Sequence, residues 1–342
     1  MTAKKTVFIV DDSVTNLAMA SDALKSTYTV RTIPSGKKTL DLLEKIKPDI
    51  FLLDIEMPDM NGFEVLRYLK NDERFSDIPV IFLTAKTDFD TEIQALELGV
   101  VDFIGKPFNP AVLFNRVKHH IDIDSLVRER TFQLQRARQD IIFVLTDMVE
   151  NRDESTGNHL GRTNRLVKML LEEMLARRIY YDQISGWDFD LIAECSLMHD
   201  VGKIATPDAI LKKPGKLTSD EWVIMKEHTT SGEKIINKII ERSGENTFLR
   251  NSKIFAISHH ERWDGSGYPY GLSGEAIPLQ GRLMAIADVY DALMSKRVYK
   301  DAFSADEALK IILNEQGKHF DPLIVDTFYG IRSQVNEQIY NT

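Results

Sequence analysis

The residues with the clearest capacity for chemistry are histidines and aspartates in the second half of the chain. Five of the eight histidines lie there in conspicuous contexts; His199 is followed by Asp200, and His259 by His260. Asp288 lies within the apolar segment IADVYDA, where an ionised carboxylate is costly unless it is paired or bound to a metal. A lone histidine on an apolar face is usually a satisfied core residue, but that explanation fits the whole set poorly.

This set of side chains predicts a metal centre. Imidazole and carboxylate groups without thiolates suit Fe, Mn, Ni, Zn or Co rather than a structural zinc–cysteine site, and we favour Fe or Mn. The candidate ligands are His159, His199, Asp200, His228, His259, His260 and Asp288. They exceed the needs of one tetrahedral ion, so we expect two divalent metals. Lys203 lies at helical spacing from Asp200, and we expect it to stabilise a phosphate oxygen rather than only to pair with Asp200.

Three more carboxylates lie at the ends of short apolar runs in the first half. Asp11 and Asp12 follow Thr6–Val10, and Asp54 follows the run at 50–53. If these runs are parallel strands, their carboxyl ends meet at one edge of the sheet, where ligands bind. Carboxylates gathered there repel one another unless a cation is present, and two carboxylates with waters suit Mg²⁺. Helix capping by Asp12 and Ser13 would explain only one of the aspartates.

The elements that must position these residues differ between the two halves. The first ~120 residues alternate continuous apolar runs with amphipathic stretches, which predicts a doubly wound α/β domain with a buried parallel sheet. From residue 151 onward helical patterns dominate, so we predict an all-α domain. The predicted helices of this half are 194–199, 220–238, 248–260, 279–295 and 305–315.

A long helix is predicted between the two halves. Residues 122–151 contain no proline or glycine. A heptad-like stripe runs along them, with one polar interruption at Arg130: Ile123, Val127, Arg130, Leu134, Ala137, Ile141, Val144 and Met148. The stripe could pair with its twin in a homodimer or pack on its own domain, and we favour the dimer.

The composition of the whole chain excludes several classes of protein. The chain has 342 residues, a net charge of −9 and one cysteine, which predicts two or three domains without an internal disulfide. The acidic balance and the lack of a basic recognition helix argue against DNA binding. We expect no membrane insertion, because no apolar run approaches ~18 residues, and the start MTAKKTVFIVDDS is unlike a signal peptide. We therefore expect a cytoplasmic protein.

The first half resembles the receiver domain of a response regulator. The resemblance covers residues 1 to about 120 and implies a five-stranded parallel sheet. It rests on Asp11 and Asp12 after the first strand, Asp54 after the third, Thr84 after the fourth, and Lys106-Pro107 after the fifth.

The receiver resemblance implies a role for each of these residues. Asp54 would accept a phosphoryl group from a histidine kinase, because an ionised carboxylate is a nucleophile. Mg²⁺ would be held by Asp11, Asp12 and Asp54, with the backbone carbonyl of Glu56. Lys106 and Thr84 would contact the phosphoryl oxygens. A cis bond at Lys106-Pro107 is usual in the family.

The second half resembles the HD-GYP phosphodiesterases, a branch of the HD superfamily. The resemblance runs from about residue 140 to 331 and rests on HDVGK at 199–203, HHERWDGSGYP at 259–269, IADVYDALMSKRVYK at 286–300 and GKHFDP at 317–322. It implies hydrolysis of cyclic di-GMP to pGpG, with further cleavage to GMP left open. The seven candidate ligands match the family's metal positions, with Asp200 bridging and also catalytic.

Further roles follow from the HD-GYP resemblance. Lys203 matches the catalytic lysine near the metal-bound nucleophile, and Arg297 and Lys300 match positions that hold substrate phosphate or guanine. Tyr268 lies in the Gly-Tyr-Pro loop, which would shape substrate access or contact a protein partner. A plain turn is the simpler explanation of that loop, since its glycines and proline favour turns.

One position departs from the family pattern. Members with three metals usually carry glutamate four residues before the first histidine, and this chain has Ser155 there. A serine hydroxyl is a weak ligand beside a carboxylate, so we predict two metals. Glu154 or Glu150 could substitute if the segment is not helical. The departure puts complete two-step hydrolysis in doubt.

These observations predict a two-component response regulator in which phosphorylation at Asp54 controls a metal-dependent cyclic di-GMP phosphodiesterase. The predicted parts are a receiver at 1–122, a connecting helix at 123–149 and an HD-GYP domain at 150–342. Two alternatives stay open: a hydrolase that prefers pGpG or another cyclic dinucleotide, and a catalytically weak module that signals through contacts.

Overall fold

The structure, a computed structural model, describes residues 4–85, 89–153, 158–295 and 302–341. It divides into two compact units, Met1–Gln135 and Arg136–Thr342. This division falls within the segment 123–149 that the sequence predicts to be the connection. Across the described ranges, no helix combines the length and the apolar character needed to cross a membrane.

A parallel five-stranded sheet forms the centre of the amino-terminal unit, in the order β2-β1-β3-β4-β5. The strands are β1 (Thr6–Val10), β2 (Thr29–Ile33), β3 (Ile50–Asp54), β4 (Val80–Thr84) and β5 (Asp102–Gly105). Successive side chains of β1 point to opposite faces, so Phe8 and Val10 join one apolar cluster while Val7 and Ile9 join another. The predicted doubly wound α/β fold is confirmed.

Helices flank this sheet, and polar side chains cap the starts of the first three. The helices are α1 (Val14–Leu24), α2 (Gly36–Leu43), α3 (Gly62–Asn71) and α4 (Phe89–Glu97). Ser13 caps α1, and Asn61 forms a capping box with Glu64 at the start of α3. Because Ser13 rather than Asp12 provides the cap, Asp12 is left at the carboxyl edge of the sheet.

The helix α5 runs without interruption from Pro110 to Glu150 and contains 41 residues. Proline suits the first position of a helix, where its missing N–H is not needed. Four apolar side chains at spacings of seven residues are exposed: Val127 at 58%, Leu134 at 72%, Ile141 at 59% and Met148 at 62%. The predicted stripe therefore lies on a continuous helix and faces solvent in the single chain.

The carboxy-terminal unit is built from helices, and all of them except α9 (Asp208–Leu211) and α10 (Ser219–Lys226) contribute to one apolar cluster. They are α6 (His159–Ala176), α7 (Tyr181–Ile184), α8 (Phe189–Ser196), α9 (Asp208–Leu211), α10 (Ser219–Lys226), α11 (His228–Ser243), α12 (Thr247–Ser258), α13 (Leu279–Met294), α14 (Ala305–Asn314) and α15 (Pro322–Val335). The cluster includes Leu170, Phe255 and Phe328, all fully buried. The predicted helical class of this half is confirmed.

Two of the predicted helices differ from the structure. The helix predicted at 194–199 is α8, which ends at Ser196, and a turn then leads to a 3-10 helix at Val201–Ala205. The helix predicted at 220–238 is divided into α10 and α11, which meet at Glu227. The α-helical spacing assumed for Lys203 is therefore wrong. These breaks place His199, Asp200 and His228 at helix ends, where their side chains can converge.

Candidate metal centre and phosphoacceptor pocket

The carboxyl edge of the sheet gathers the predicted receiver residues. Asp54 is the last residue of β3, Thr84 is the last of β4, and Lys106 follows β5. Asp12, Asp54, Glu56, Thr84 and Lys106 line an open cavity of about 420 Å³. The lysine Nζ lies 2.7 Å from Asp11 Oδ2 and 2.6 Å from Asp54 Oδ1.

The electrostatics of this pocket favour a cation. Asp11 is fully buried and Asp54 is 4% exposed, whereas Asp12 is exposed. Burial raises the pKa of Asp54, and Asp11 adds to that shift while Lys106 opposes it. Oxygen atoms of Asp11, Asp12 and Asp54 lie within 4.8 Å of one another, which suits a hard cation such as Mg²⁺. The bond between Lys106 and Pro107 is cis, as the resemblance implies.

A close backbone approach brings together the histidines of the second unit. Gly202 lies in the 3-10 helix, and a Cβ there would lie 1.8 Å from the carbonyl oxygen of His228. Only glycine permits this approach, and it sets Asp200 beside the first residue of α11. His259 and His260 follow α12, and Asp288 projects from α13.

Backbone carbonyls orient three of these histidines in the same way. The Nδ1 atoms of His199, His228 and His259 lie 2.8, 2.7 and 3.0 Å from the carbonyl oxygens of Ser196, Met225 and Phe255. A carbonyl only accepts, so Nδ1 must carry the proton. The Nε2 atom of each neutral ring is then left with a lone pair, which is the form that binds a metal.

Asp200 lies at the centre of this arrangement. Its Oδ2 is 3.3 Å from His199 Nε2, and its Oδ1 is 3.3 Å from His228 Nε2 and 3.5 Å from His259 Nε2. Ligand atoms within 4.8 Å of one another form two main groups: Asp200 with His228, His259 and His260, and His159 with His199 and Asp288. All seven predicted ligands therefore lie in these two groups.

The positions of several buried atoms in the centre are explained better by a bound cation than by contacts within the protein. The Nε2 atoms of His228 and His259 are 3.4 Å apart, and two lone pairs at that distance repel unless a cation lies beside them. His199 Nε2 and Asp200 Oδ1 are buried without a hydrogen-bond partner in the described part of the chain.

The pKa shifts divide the histidines into two kinds. Burial lowers the pKa of His228 to about 4, and burial with His259 and His228 holds the pKa of His260 well below its usual value. Burial also disfavours charged His199, but Asp200 outweighs it and raises the pKa of His199 to about 9. A metal that binds His199 therefore displaces a proton.

Asp291 is a supporting residue that the sequence interpretation missed. His159 Nδ1 donates to Asp291 Oδ2 at 2.7 Å, so a carboxylate replaces the carbonyl used by the other histidines. Arg162 Nε at 2.5 Å and the Tyr340 hydroxyl at 2.8 Å also donate to Asp291. Carboxylates in this position orient a ligand histidine and increase its basicity. Its signal was the second aspartate of IADVYDA, three residues after Asp288.

Lys203 contacts Asp200 and also approaches the last residue of α5. Its Nζ lies 2.7 Å from Asp200 Oδ2 and 3.8 Å from Glu150 Oε1. The salt bridge that the sequence interpretation ranked second is therefore present. Glu150 is 4% exposed, and burial raises its pKa while Lys203 opposes the shift. Glu150, His199 and Asp200 form a third group of possible ligands.

The Gly-Tyr-Pro loop lies over this centre. The Tyr268 ring is 4.8 Å from the ring of His260, between centroids. A Cβ on Gly267 would lie 2.3 Å from the amide nitrogen of Arg262, so the loop passes too close for any side chain. Buried Glu261 accepts the N–H groups of Tyr270 and Leu272 at 2.8 and 2.9 Å. The loop is thus held firmly beside His260.

Four residues of the sequence interpretation lie outside the described residues. They are Arg297 and Lys300, predicted to hold the substrate, Ser155, on which the two-metal prediction depends, and Glu154, a possible substitute ligand. Their predicted roles stay predictions.

Comparisons with known proteins agree with both halves of this description. The response regulator receiver domain family matches residues 7–118, and the HD domain family matches residues 144–324. A probable cyclic di-GMP phosphodiesterase of Vibrio cholerae is 42% identical over 94% of this chain and 77% of its own length. The cyclic di-GMP phosphodiesterase response regulator RpfG of Xanthomonas campestris is 34% identical over 97% of this chain and 89% of its length.

A further Vibrio cholerae protein, named 3'3'-cGAMP-specific phosphodiesterase 2, is 34% identical over 78% of this chain and 47% of its own length. The relatives thus include enzymes named for different cyclic dinucleotides. Within this chain the receiver match precedes the HD domain match. The chain therefore belongs to the HD domain family and, within it, to the response regulators that carry an amino-terminal receiver domain.

Proposed function

We propose that this response regulator hydrolyses cyclic di-GMP to pGpG at the histidine–aspartate centre. The observation that carries the proposal is the position of Asp200, whose two oxygens face two separate sets of histidines. A carboxylate placed in this way suits a bridge between two divalent cations. The ligand chemistry suits Fe, Mn, Ni, Zn or Co, and Fe or Mn is our prediction. The names of the two relatives that match more than 90% of this chain support cyclic di-GMP as the substrate.

The side chains of the centre have separate tasks in this reaction. Hydrolysis adds a water oxygen to phosphorus, breaks one phosphodiester P–O bond and returns a proton to the departing ribose hydroxyl. When bound, the two metals supply Lewis-acid activation of water and of the phosphate. Lys203, held by Asp200, would stabilise negative charge on a phosphate oxygen. Tyr268, whose ring lies beside His260, would contact a base or ribose of the substrate, and Arg297 and Lys300 would bind phosphate or guanine.

The substrate assignment is tested by turnover with defined metals. Full-length protein would be loaded separately with Fe²⁺ or Mn²⁺ and given cyclic di-GMP, pGpG or 3'3'-cGAMP, with products separated by chromatography. We expect cyclic di-GMP to be consumed fastest, with accumulation of pGpG. Faster turnover of either other substrate would replace the assignment, and no turnover of any of them would favour a signalling module that acts through contacts.

For the receiver we propose phosphoryl transfer from a histidine kinase to Asp54. Asp11, Asp12 and Asp54, with the Glu56 carbonyl, would hold Mg²⁺, and Lys106 and Thr84 would contact the phosphoryl oxygens. The contact of 2.6 Å between Lys106 and Asp54 supports this role, because the ammonium already lies at the acceptor oxygen. Turnover of cyclic di-GMP should change when beryllofluoride is added to the wild type and should not change in Asp54→Ala. Equal responses would argue against control through Asp54.

A homodimer through α5 is the assembly that we propose. Val127, Leu134, Ile141 and Met148 form an exposed apolar row with a strict period of seven, as in coiled coils. Leu134→Glu with Ile141→Glu should convert a dimer to a monomer in sedimentation or light-scattering measurements, whereas the same double change at exposed Arg136 and Asp140 should not. A wild-type monomer at micromolar concentration would contradict the proposal. A protein partner of the Gly-Tyr-Pro loop stays a prediction.

A further inference from the structure

An arginine just beyond α5 holds a loop of the histidine–aspartate centre. Arg152 lies in the short 3-10 turn that follows α5. Its Nη1 donates to the carbonyl oxygen of Ile204 at 3.0 Å and more weakly to that of Lys203 at 3.5 Å. Its Nη2 donates to the carbonyl oxygen of Thr206 at 3.3 Å and to Asp208 Oδ1 at 2.6 Å. Three of these four oxygens thus belong to the backbone of one short segment.

The segment that Arg152 holds is the carboxyl end of the 3-10 helix Val201–Ala205. Asp200 immediately precedes this helix, so the proposed ligand and the arginine contacts lie at its two ends. The last carbonyl groups of a helix lack partners within the helix, and a cation at that end is favourable. The helix is five residues long, and at about 2 Å per residue its ends are about 10 Å apart.

Two sets of contacts therefore fix this short helix. Its middle packs against α11, where a Cβ on Gly202 would lie 1.8 Å from the carbonyl oxygen of His228. Arg152 fixes its carboxyl end. Together the two sets determine the direction in which Asp200 points, because a rigid segment held at one place can still rotate about it.

An ion pair with Asp208 does not by itself explain the arginine. The Asp208 side chain is 56% exposed and also pairs with Lys212 at 3.2 Å, and exposed ion pairs contribute little to stability. A lysine would pair with this carboxylate as well as an arginine does. Only the planar guanidinium, with its five N–H donors, reaches the carboxylate and the carbonyl groups together.

We propose that Arg152 is a positioning residue for the histidine–aspartate centre. By holding the carboxyl end of the 3-10 helix, it keeps Asp200 between the two sets of histidines. It also keeps Lys203, which projects from the same helix, with its Nζ 2.7 Å from Asp200 Oδ2. This inference rests on the proposed function. A displacement of about 1 Å in a catalytic site can reduce the rate about 100-fold, so the loss of Arg152 should reduce kcat more than it raises KM.

The test compares Arg152→Ala with Arg177→Ala in the full-length protein loaded with Mn²⁺. Arg177 is the matched control, because it is also a partly exposed arginine that donates to a carboxylate, that of Glu173, and to a backbone carbonyl, that of Asp326. It follows the last residue of α6, whereas His159 is the first residue of that helix. The control should keep wild-type kcat and Mn²⁺ affinity.

For Arg152→Ala we expect two losses. The kcat for cyclic di-GMP should fall about 100-fold, and the Mn²⁺ affinity, titrated against a chelator, should fall about tenfold. Guanidinium ion at millimolar concentration should restore part of both, because it can occupy the space left by the side chain. A purely structural role would lower the Tm of the metal-free protein only. Wild-type kcat and Mn²⁺ affinity in Arg152→Ala would therefore overturn the proposal.

A second variant keeps the test decisive if Arg152→Ala folds poorly. Arg152→Lys retains the charge and the ion pair with Asp208 but cannot reach all three carbonyl groups, so both quantities should still fall, by less than in Arg152→Ala. Wild-type values in Arg152→Lys would show that the ion pair suffices and would refute positioning through the carbonyl groups. Loss of Mn²⁺ affinity in a protein that hydrolyses no cyclic di-GMP would support Arg152 as a positioning residue and refute the proposed function alone.

Discussion

The receiver pocket and the histidine–aspartate centre both gather carboxylates, but they neutralise them differently. In the receiver, Asp11 and Asp54 share the single ammonium of Lys106, and the cavity of about 420 Å³ is open to solvent. In the second unit, Asp200 is 5% exposed and is surrounded by imidazoles and Lys203. An oxygen-only site with an open side suits an exchangeable hard cation and an entering phosphoryl group. A buried imidazole site suits a resident transition metal.

The two regions also differ in how firmly their ligands are held. Carbonyls or a carboxylate fix the Nδ1 atoms of His199, His228, His259 and His159, so each Nε2 is aimed before any metal arrives. In the receiver, Asp11 is held by the Ser13 N–H at 2.8 Å and by Asn16, while Asp12 is exposed. Preorganisation is therefore concentrated where we propose the hydrolytic chemistry.

The largest expected effect is on turnover in the second unit. Asp200→Ala or His199→Ala should reduce cyclic di-GMP hydrolysis by about a thousandfold or more, because each removes a proposed ligand of the water-activating centre. Circular dichroism should show little loss of folding. Asp190→Asn, at an exposed carboxylate on α8, is the control and should retain wild-type turnover. Normal hydrolysis by the Asp200 variant would refute the assignment of the centre.

Removal of metal should lower the thermal stability of the two units by different amounts. At a free metal concentration of a thousand times Kd, binding contributes about 4 kcal/mol to the free energy of unfolding. We expect chelation to lower the Tm of the carboxy-terminal transition in scanning calorimetry far more than that of the receiver transition, because a buried imidazole site binds its ion more tightly than an open carboxylate site. A larger decrease in Tm for the receiver transition would contradict this expectation.

The sequence predicted the receiver more completely than the second unit. Continuous apolar strands ending in aspartates determine both the sheet and the convergence of Asp11, Asp12 and Asp54, because parallel strands share one carboxyl edge. In the second unit, the ligand types were readable, and all seven converge. Their placement was not readable, since His199 and Asp200 lie in a turn beyond α8 whose position depends on the approach of Gly202 to α11.

Residues that act through other residues were the hardest to predict. Asp291 acts on His159, which lies 132 positions away in the chain. Such contacts depend on tertiary packing, which leaves no local spacing to recognise. The break between α10 and α11 at Glu227 was missed for a related reason, because no proline or glycine marks it in the sequence.

A smaller effect should follow from removal of the carboxylate behind His159. Asp291→Asn should lower the affinity of one metal site by about 10- to 100-fold, the usual range for outer-shell partners of a ligand histidine. Asp321→Asn is the matched control, because buried Asp321 also accepts from an arginine and a tyrosine, Arg282 and Tyr180, both at 2.8 Å. The control should lower the stability of the fold and leave both metal affinities unchanged. Equal losses of metal affinity in the two variants would show that Asp291 has only a structural role.

The smallest expected effect is the change in Tm when a buried aspartate is replaced by asparagine, and its sign should differ between the two regions. The raised pKa of Asp54 means that its charged form costs the metal-free receiver stability, so Asp54→Asn should raise the receiver Tm by a few degrees. That gain should be full at neutral pH and should shrink as the pH falls through the folded-state pKa, because the wild-type carboxyl then becomes neutral as well.

At Asp200 burial raises the pKa, but Lys203 and His199 outweigh it and hold the pKa well below its usual range. The charged form is thus favoured there, and Asp200→Asn should lower the Tm of the metal-free second unit at neutral pH. Calorimetry of both variants without divalent cations would measure the two signs, and shifts in the same direction would show that the two carboxylate clusters are neutralised alike.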